Sequence, residues 1–247
     1  APEQKVEEIV PSVMIKTIHD VPHDYKLVKD LEAINQLVDK LHAHAEICFD
    51  TETTGLDANG CEIVGMSFSV VKGEAYYVPC PDDRVETIKV LQAFAPLFQD
   101  EKITWIGQNI KFDLLVLKNY GFEFAGKIFD TMLAHFVIEP EGKRSMDALS
   151  EKYLEYAPIS IETLIGKKGK GQGTMRDVEI EVIKEYAAED ADITLQLKEA
   201  FLPLLVENKV EKVFYEVDAP LVKVLTDMEF EGIKVHADFL KEYSDVL

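Results

Sequence analysis

Asp50 and Glu52, separated only by Thr51, end a short apolar run, Ile47-Cys48-Phe49, that reads as a buried strand. Side chains alternate faces along a strand, so the two carboxylates point one way and Thr51 the other. Two acids on one face repel, and desolvation adds to the cost of ionising both. The pair therefore needs a cation, a shared proton or open water. Gly55, just beyond, permits a sharp turn, so the strand end opens into a site instead of continuing through a core. Further acids follow. Asp113 falls in the first turn of a helix read over Lys111 to Tyr120, directly after a strand at Ile103 to Ile106, and ligands collect at such strand ends. Tyr186 and Asp190 are four apart and share one helix face. Ala187 and Ala188 leave room for that helix to approach a sheet. Each feature alone has a plainer alternative: a solvated strand end, an acid complementing a helix dipole, or a core tyrosine beside a surface ion pair.

The elements that must position these groups follow from periodicity. Asp30 caps a helix with apolar positions Leu31, Ile34, Leu37, Val38 and Leu41. Strands at Ile47 to Asp50, Glu62 to Val71 and Glu74 to Pro79, joined by Asn59-Gly60 and Lys72-Gly73, predict an antiparallel meander. Alternating helices and strands follow, through a helix at Val85 to Phe98, a brief strand at Ile128 to Phe129, and helices at Thr131 to Ile138 and Ser145 to Leu154. A long helix starts near Val178, with a break expected before Pro203. The pattern is that of an α/β domain with a mixed sheet flanked by helices. Residues 1–24 read as a linker that adds an edge strand around Val13 to Ile18. After Asn208, Val213, Val217, Leu221, Val224, Leu225 and Met228 form an apolar stripe kinked at Pro220, which either packs on the domain or begins a further one.

The chain has 247 residues, 47% hydrophobic and 29% charged, as expected of a globular protein. No stretch approaches the roughly 20 apolar residues that span a bilayer, and the acidic N-terminus carries no signal-peptide pattern. A cytoplasmic protein with no membrane association is the expectation. Cys48, Cys61 and Cys80 lack CxxC spacing and read as buried free thiols. With 46 acidic against 26 basic residues the net charge is −20, which argues against a general nucleic-acid coat protein. An enzyme that holds a few nucleotides through metal ions and a small basic patch remains compatible. The Gly166 to Arg176 segment, with Lys167, Lys168, Lys170 and Arg176, supplies either such a patch or a solvated loop. It matches neither a Walker A loop nor GxGxxG, and the six histidines show no zinc spacing.

In order, Asp50-Thr51-Glu52 on a strand, Asn109-Ile110-Lys111-Phe112-Asp113 at a strand-to-helix junction, and Tyr186 with Asp190 on a late helix resemble the three exonuclease motifs of the DEDD superfamily. The tyrosine marks its tyrosine-containing branch. Within that branch, residues 25 to 205 resemble the 3′-5′ proofreading exonuclease domains of bacterial, A-family DNA polymerase I. Ala219-Pro220-Leu221-Val222 and Met228 to Val235 resemble the opening of the polymerase region in that family. The resemblance implies a ribonuclease H-like fold, an exonuclease domain at 25–207, and the truncated start of a polymerase domain at 208–247. It also implies a 3′-5′ exodeoxyribonuclease that releases nucleoside monophosphates from single-stranded or frayed DNA using two divalent ions, Mg²⁺ or Mn²⁺. The ions would be held by Asp50, Glu52, Asp113 and Asp190. Asp50 would bridge them, Asp113 would act through water, and Glu52 with Tyr186 would orient the attacking water, since a tyrosine of ordinary pKa is a poor base. Thr53, Gln108, Asn109 and Phe112 would line the strand, and Leu56 would wedge between terminal bases unless it is a core leucine at a turn. The expected partners are a DNA 3′ end and the polymerase domain of the same chain, in a monomer. An RNA exonuclease resembling ribonuclease D, or a noncatalytic support for the polymerase, are the alternatives.

Overall fold

The computed structural model describes residues 14–246. Six strands form one sheet: β1 (Asp24–Leu27), β2 (Glu46–Thr53), β3 (Ile63–Val71), β4 (Glu74–Pro79), β5 (Thr104–Gly107) and β6 (Lys127–Asp130). Their order is β1-β4-β3-β2-β5-β6. β2, β3 and β4 are the antiparallel meander, while β1, β5 and β6 add in parallel. This is the expected mixed α/β sheet. Alternation along β2 sends Ile47 and Phe49 into one core and Cys48 into another.

The Phe49 side is covered by α1 (Leu31–His42), α2 (Arg84–Phe98) and α3 (Lys111–Asn119). There Phe49, Phe68, Phe94, Phe98, Trp105 and Phe124 pack ring to ring. Asp30 caps α1 by accepting from the Ala33 N–H at 2.9 Å. The helices α4 (Thr131–Ile138), α5 (Met146–Leu154) and α6 (Ile161–Ile165) follow, and α7 (Ile180–Glu207) crosses the other face of the sheet. Ala187, Ala188 and Ala191 are fully buried where α7 meets its neighbours, which brings its backbone close. No break occurs before Pro203. That residue faces solvent, where the Glu199 carbonyl, left without an N–H partner, is accessible to water.

Two further expectations change. Val13 lies outside the described residues, and Lys16 makes only an isolated bridge to Tyr156. The sheet's edge strand is therefore β1. The remaining residues of the expected N-terminal linker before Met14 also lie outside the described part. Beyond α7, α8 (Glu211–Val213) leads into a π-turn (Phe214–Asp218) that packs on α4 and sets Phe214 against Phe129, and α9 (Ala219–Glu231) packs against α3 and β6, followed by α10 (Ala237–Val246). Phe214, Ala219, Val222 and Thr226 are buried against the domain, while the apolar stripe from Val213 to Met228 stays 37–62% exposed and, of its two readings, does not pack fully on the described residues. The π-turn sets the buried Phe214 and Ala219 five positions apart, so this buried set departs from a uniform 3.6-residue period. Pro220 lies inside the continuous helical run from Glu211 to Glu231, directly after the π-turn, so the irregularity expected at this proline takes the form of that turn. Among the described residues no helix is long and apolar enough to cross a membrane.

Candidate active site

Three acids meet where β2 runs out. One carboxylate oxygen each from Asp50, Glu52 and Asp190 lie within 4.8 Å of one another. The strand period brings the first two to the α7 face, and a register shift between Glu52 and Thr53 marks a bulge at this point. Gly65, opposite Glu52, leaves space for the phenol end of Tyr77, which any Cβ at Gly65 would overlap.

Asp113 joins from the other side of β2. β5 pairs with β2 only as far as Cys48, so Thr51 has a free edge. Its N–H donates to Asp113 Oδ1 at 3.0 Å, and its hydroxyl donates to the same oxygen. Burial, and then the charge of Asp190, pushes the Asp50 carboxyl well above its usual range. Glu52 is raised by burial and by Asp50, Asp190 and Asp113. In Asp113, burial and Asp50 outweigh the opposing Thr51 hydrogen bonds. Asp190 is likewise raised by burial, against a hydrogen bond from Tyr186. Every charged neighbour acting on these four groups is another acid. Glu52 Oε1 is buried with no hydrogen-bond partner. A set of hard carboxylate oxygens with one buried oxygen unsatisfied fits a divalent cation. Tyr186 faces the same acids. Burial and the charges of Asp190, Glu52 and Asp50 hold its hydroxyl protonated far above neutral pH.

The other expected residues surround this cluster. Thr53 donates its hydroxyl to the Gly55 carbonyl at 2.8 Å. Leu56 is 85% exposed at the turn and is no core leucine. Phe112 packs partly on the core, and Asn109 adopts a left-handed backbone with φ of 59°. Both ends of the Gln108 amide are engaged within the protein, by the Arg144 carbonyl at 2.8 Å and by the Thr131 hydroxyl. Arg176 does not join a free basic patch. Its guanidinium donates to the carbonyls of Cys80 at 2.7 Å and Ile63 at 2.9 Å.

Sequence reasoning missed three buried acids. Asp130 caps α4 through the Met132 and Leu133 N–H groups at 2.8 and 3.0 Å, and accepts from Ile110 N–H at 2.8 Å and Asn109 N–H at 3.4 Å. It thereby ties the loop before α3 to the start of α4. Asp130-Thr131 ahead of an apolar helix was a readable cap signal. Glu189 accepts from the Tyr156 hydroxyl and, at 2.6 Å, from Ile159 N–H. Asp192 accepts from the Tyr25 hydroxyl and Gly73 N–H, each at 2.9 Å. These two lie three apart on α7, on a different face from Asp190, and lock it to the surrounding chain.

A sequence model described as 3′-5′ exonuclease matches residues 25–206. The DNA polymerase I of Pseudomonas aeruginosa is 38% identical over 227 residues, 88% of this chain and 25% of that protein. The DNA polymerase I of Borreliella burgdorferi is 35% identical over 231 residues, 92% of this chain and 25% of that protein. The chain thus spans about a quarter of the length of these relatives. Among solved structures, Brucella melitensis NrnC with bound Mg²⁺ aligns with a TM-score of 0.61 at 18% identity, over 87% of this chain and all of that one. It shares the fold.

Proposed function

The chain belongs to the 3′-5′ exonuclease family of DNA polymerase I, and from that premise we propose that it removes nucleoside monophosphates from the 3′ end of single-stranded or frayed DNA. The observation that carries the reading is the meeting of Asp50, Glu52 and Asp190 oxygens within 4.8 Å, with Glu52 Oε1 buried and unpartnered. Asp50, Glu52 and Asp190 would hold one divalent cation, and Asp113 with Asp50 a second, Mg²⁺ or Mn²⁺ by their preference for carboxylate oxygen. Bound cations of this kind supply Lewis acidity and make water nucleophilic at neutral pH.

The protein's own groups do the rest. Thr51 fixes the Asp113 carboxylate. Tyr186, held protonated, positions the attacking water together with Glu52 and does not act as a base. Leu56, standing in solvent, separates the terminal bases, and Phe112 offers a stacking surface that tolerates any sequence. Thr53 and Asn109 line the strand, with Gln108 shaping the loop through its internal bonds. The chain acts as a monomer joined, in its longer relatives, to a polymerase. Asp50→Ala tests the assignment. A loss of at least about a hundredfold in nucleotide release is expected, and unchanged release would remove Asp50 from the chemistry.

A further inference from the structure

Between α6 and α7 lies an arm, Gly166 to Gly173, that carries Lys167, Lys168 and Lys170 among four glycines. Its neck is closed. Gly173 N–H donates to the Ile165 carbonyl at 2.8 Å, and the Gln172 side chain donates to the Gly166 carbonyl at 3.2 Å. Gly166, at φ of 84°, makes the turn into the arm with a backbone that side-chain-bearing residues rarely adopt. Both roots are anchored in one apolar cluster, where Ile165 and Met175 pack with Val64, Tyr77, Ile183 and Tyr186. Arg176 pins the exit by its carbonyl bonds and by Asp82 at 3.0 Å. The arm is therefore a tethered projection whose base adjoins Tyr186, and Tyr186 faces Asp190, Glu52 and Asp50.

Its charge is the opposite of its surroundings. All three lysines are exposed, and none takes part in the ion pairs found among the described residues, whereas Lys184 at the start of α7 holds both Glu181 and Glu185. A polyanionic strand approaching a chain of net charge −20 is repelled by most of its surface. Three ammonium groups on an arm whose roots pack with Tyr186 reverse that field locally. Lysine is a compact charge on a flexible stem, suited to phosphate oxygens whatever bases they carry.

We propose that Lys167, Lys168 and Lys170 form a base-independent binding site for the phosphodiester backbone of the substrate strand, on the Tyr186 side of the acid cluster. This rests on the exonuclease reading above and adds the element that holds the strand away from the scissile bond.

The triple substitution K167Q/K168Q/K170Q in the full chain tests it with two substrates. One is a single-stranded oligodeoxynucleotide, and the other is the p-nitrophenyl ester of thymidine 5′-monophosphate, which has a phosphodiester and no strand. On the oligonucleotide, kcat/KM is expected to fall about tenfold at low salt, chiefly through KM, and the salt dependence of log KM to lose roughly 0.7 for each phosphate released. Hydrolysis of the ester should be unchanged. Equal losses on both substrates would overturn the proposal by assigning the arm to the catalytic centre. An unchanged KM and salt slope would overturn it by leaving the lysines merely solvated. Oligonucleotide binding in chelator, read by fluorescence anisotropy, separates the arm from the chemistry. If neither substrate is cleaved by the unsubstituted chain, the exonuclease reading fails, while a salt-dependent loss of affinity in the triple variant still supports the arm, and equal affinity refutes it.

Discussion

Thr51 holds Asp113 with two donors, its backbone N–H at 3.0 Å and its hydroxyl, both aimed at Oδ1. The residue that separates the two acids of β2 is thus the one that orients the acid arriving from α3. Strand alternation makes this possible, because Thr51 points to the α3 face while Asp50 and Glu52 point to α7.

Replacing Thr51 by Val keeps its shape and its N–H and removes the hydroxyl. Asp113 is then one donor short in a buried setting, so a stability loss of about 1–3 kcal/mol is expected. Nucleotide release should fall about tenfold, as when support behind a metal ligand is lost. Thr51→Ser should retain most of both. Denaturant unfolding and single-turnover kinetics measure the two effects, and a Val variant equal to the parent in both would show that Asp113 is oriented by something else.

Without a cation, Asp190 adds repulsion to the half-buried Asp50 and the buried Glu52. In chelator, Asp190→Asn should therefore melt higher than the parent, by roughly 2–4 °C for each kcal/mol relieved. Saturating Mn²⁺ should raise the melting temperature of the parent and do little for the variant. A variant that melts lower in chelator and responds fully to Mn²⁺ contradicts the account of this cluster.

The pH dependence has a definite sign. Burial and neighbouring acids raise the folded-state pKa values of Asp50, Glu52, Asp113 and Asp190. Above about pH 4, where unfolded carboxylates release their protons, the folded chain still binds them. Stability contributed by these groups is thus complete below that pH and is lost as pH rises toward the raised values. Groups with lowered values, such as Glu74 and Glu139, run the other way but are common to both proteins. The melting advantage of Asp190→Asn in chelator should consequently grow from pH 4 to pH 8. A constant or shrinking difference would reject the repulsive cluster.

Asp130 accepts four backbone N–H groups, and Asp130→Asn turns one acceptor oxygen into a donor facing them. A loss of about 1–3 kcal/mol is expected, with faster amide exchange at Asn109 and Ile110. Protection at those amides equal to the parent's would mean that the carboxylate does not hold this loop.

The local part of this design was legible in the sequence. Alternation put Asp50 and Glu52 on one face, a four-residue step put Tyr186 with Asp190, and the cap residue Asp30 marked α1. What was not legible depended on distant chain segments or on a broken period. The bonds of Asp130 to the loop some twenty residues earlier leave no trace in spacing. Arg176 resembled a free phosphate ligand because backbone carbonyls of Ile63 and Cys80 have no side-chain signature. The buried set Phe214, Ala219, Val222 and Thr226 was not picked out because the π-turn breaks the 3.6-residue count.

Digestion of a 5′-labelled single-stranded DNA oligonucleotide, beside an RNA control, tests whether the chain is a metal-dependent nuclease that works from the 3′ end. A metal-dependent 3′-5′ exonuclease gives a ladder shortening from the 3′ end of the DNA in Mg²⁺ or Mn²⁺ and leaves the strand intact in chelator. DNA left uncut in both metals, or cleaved equally well in chelator, would contradict it.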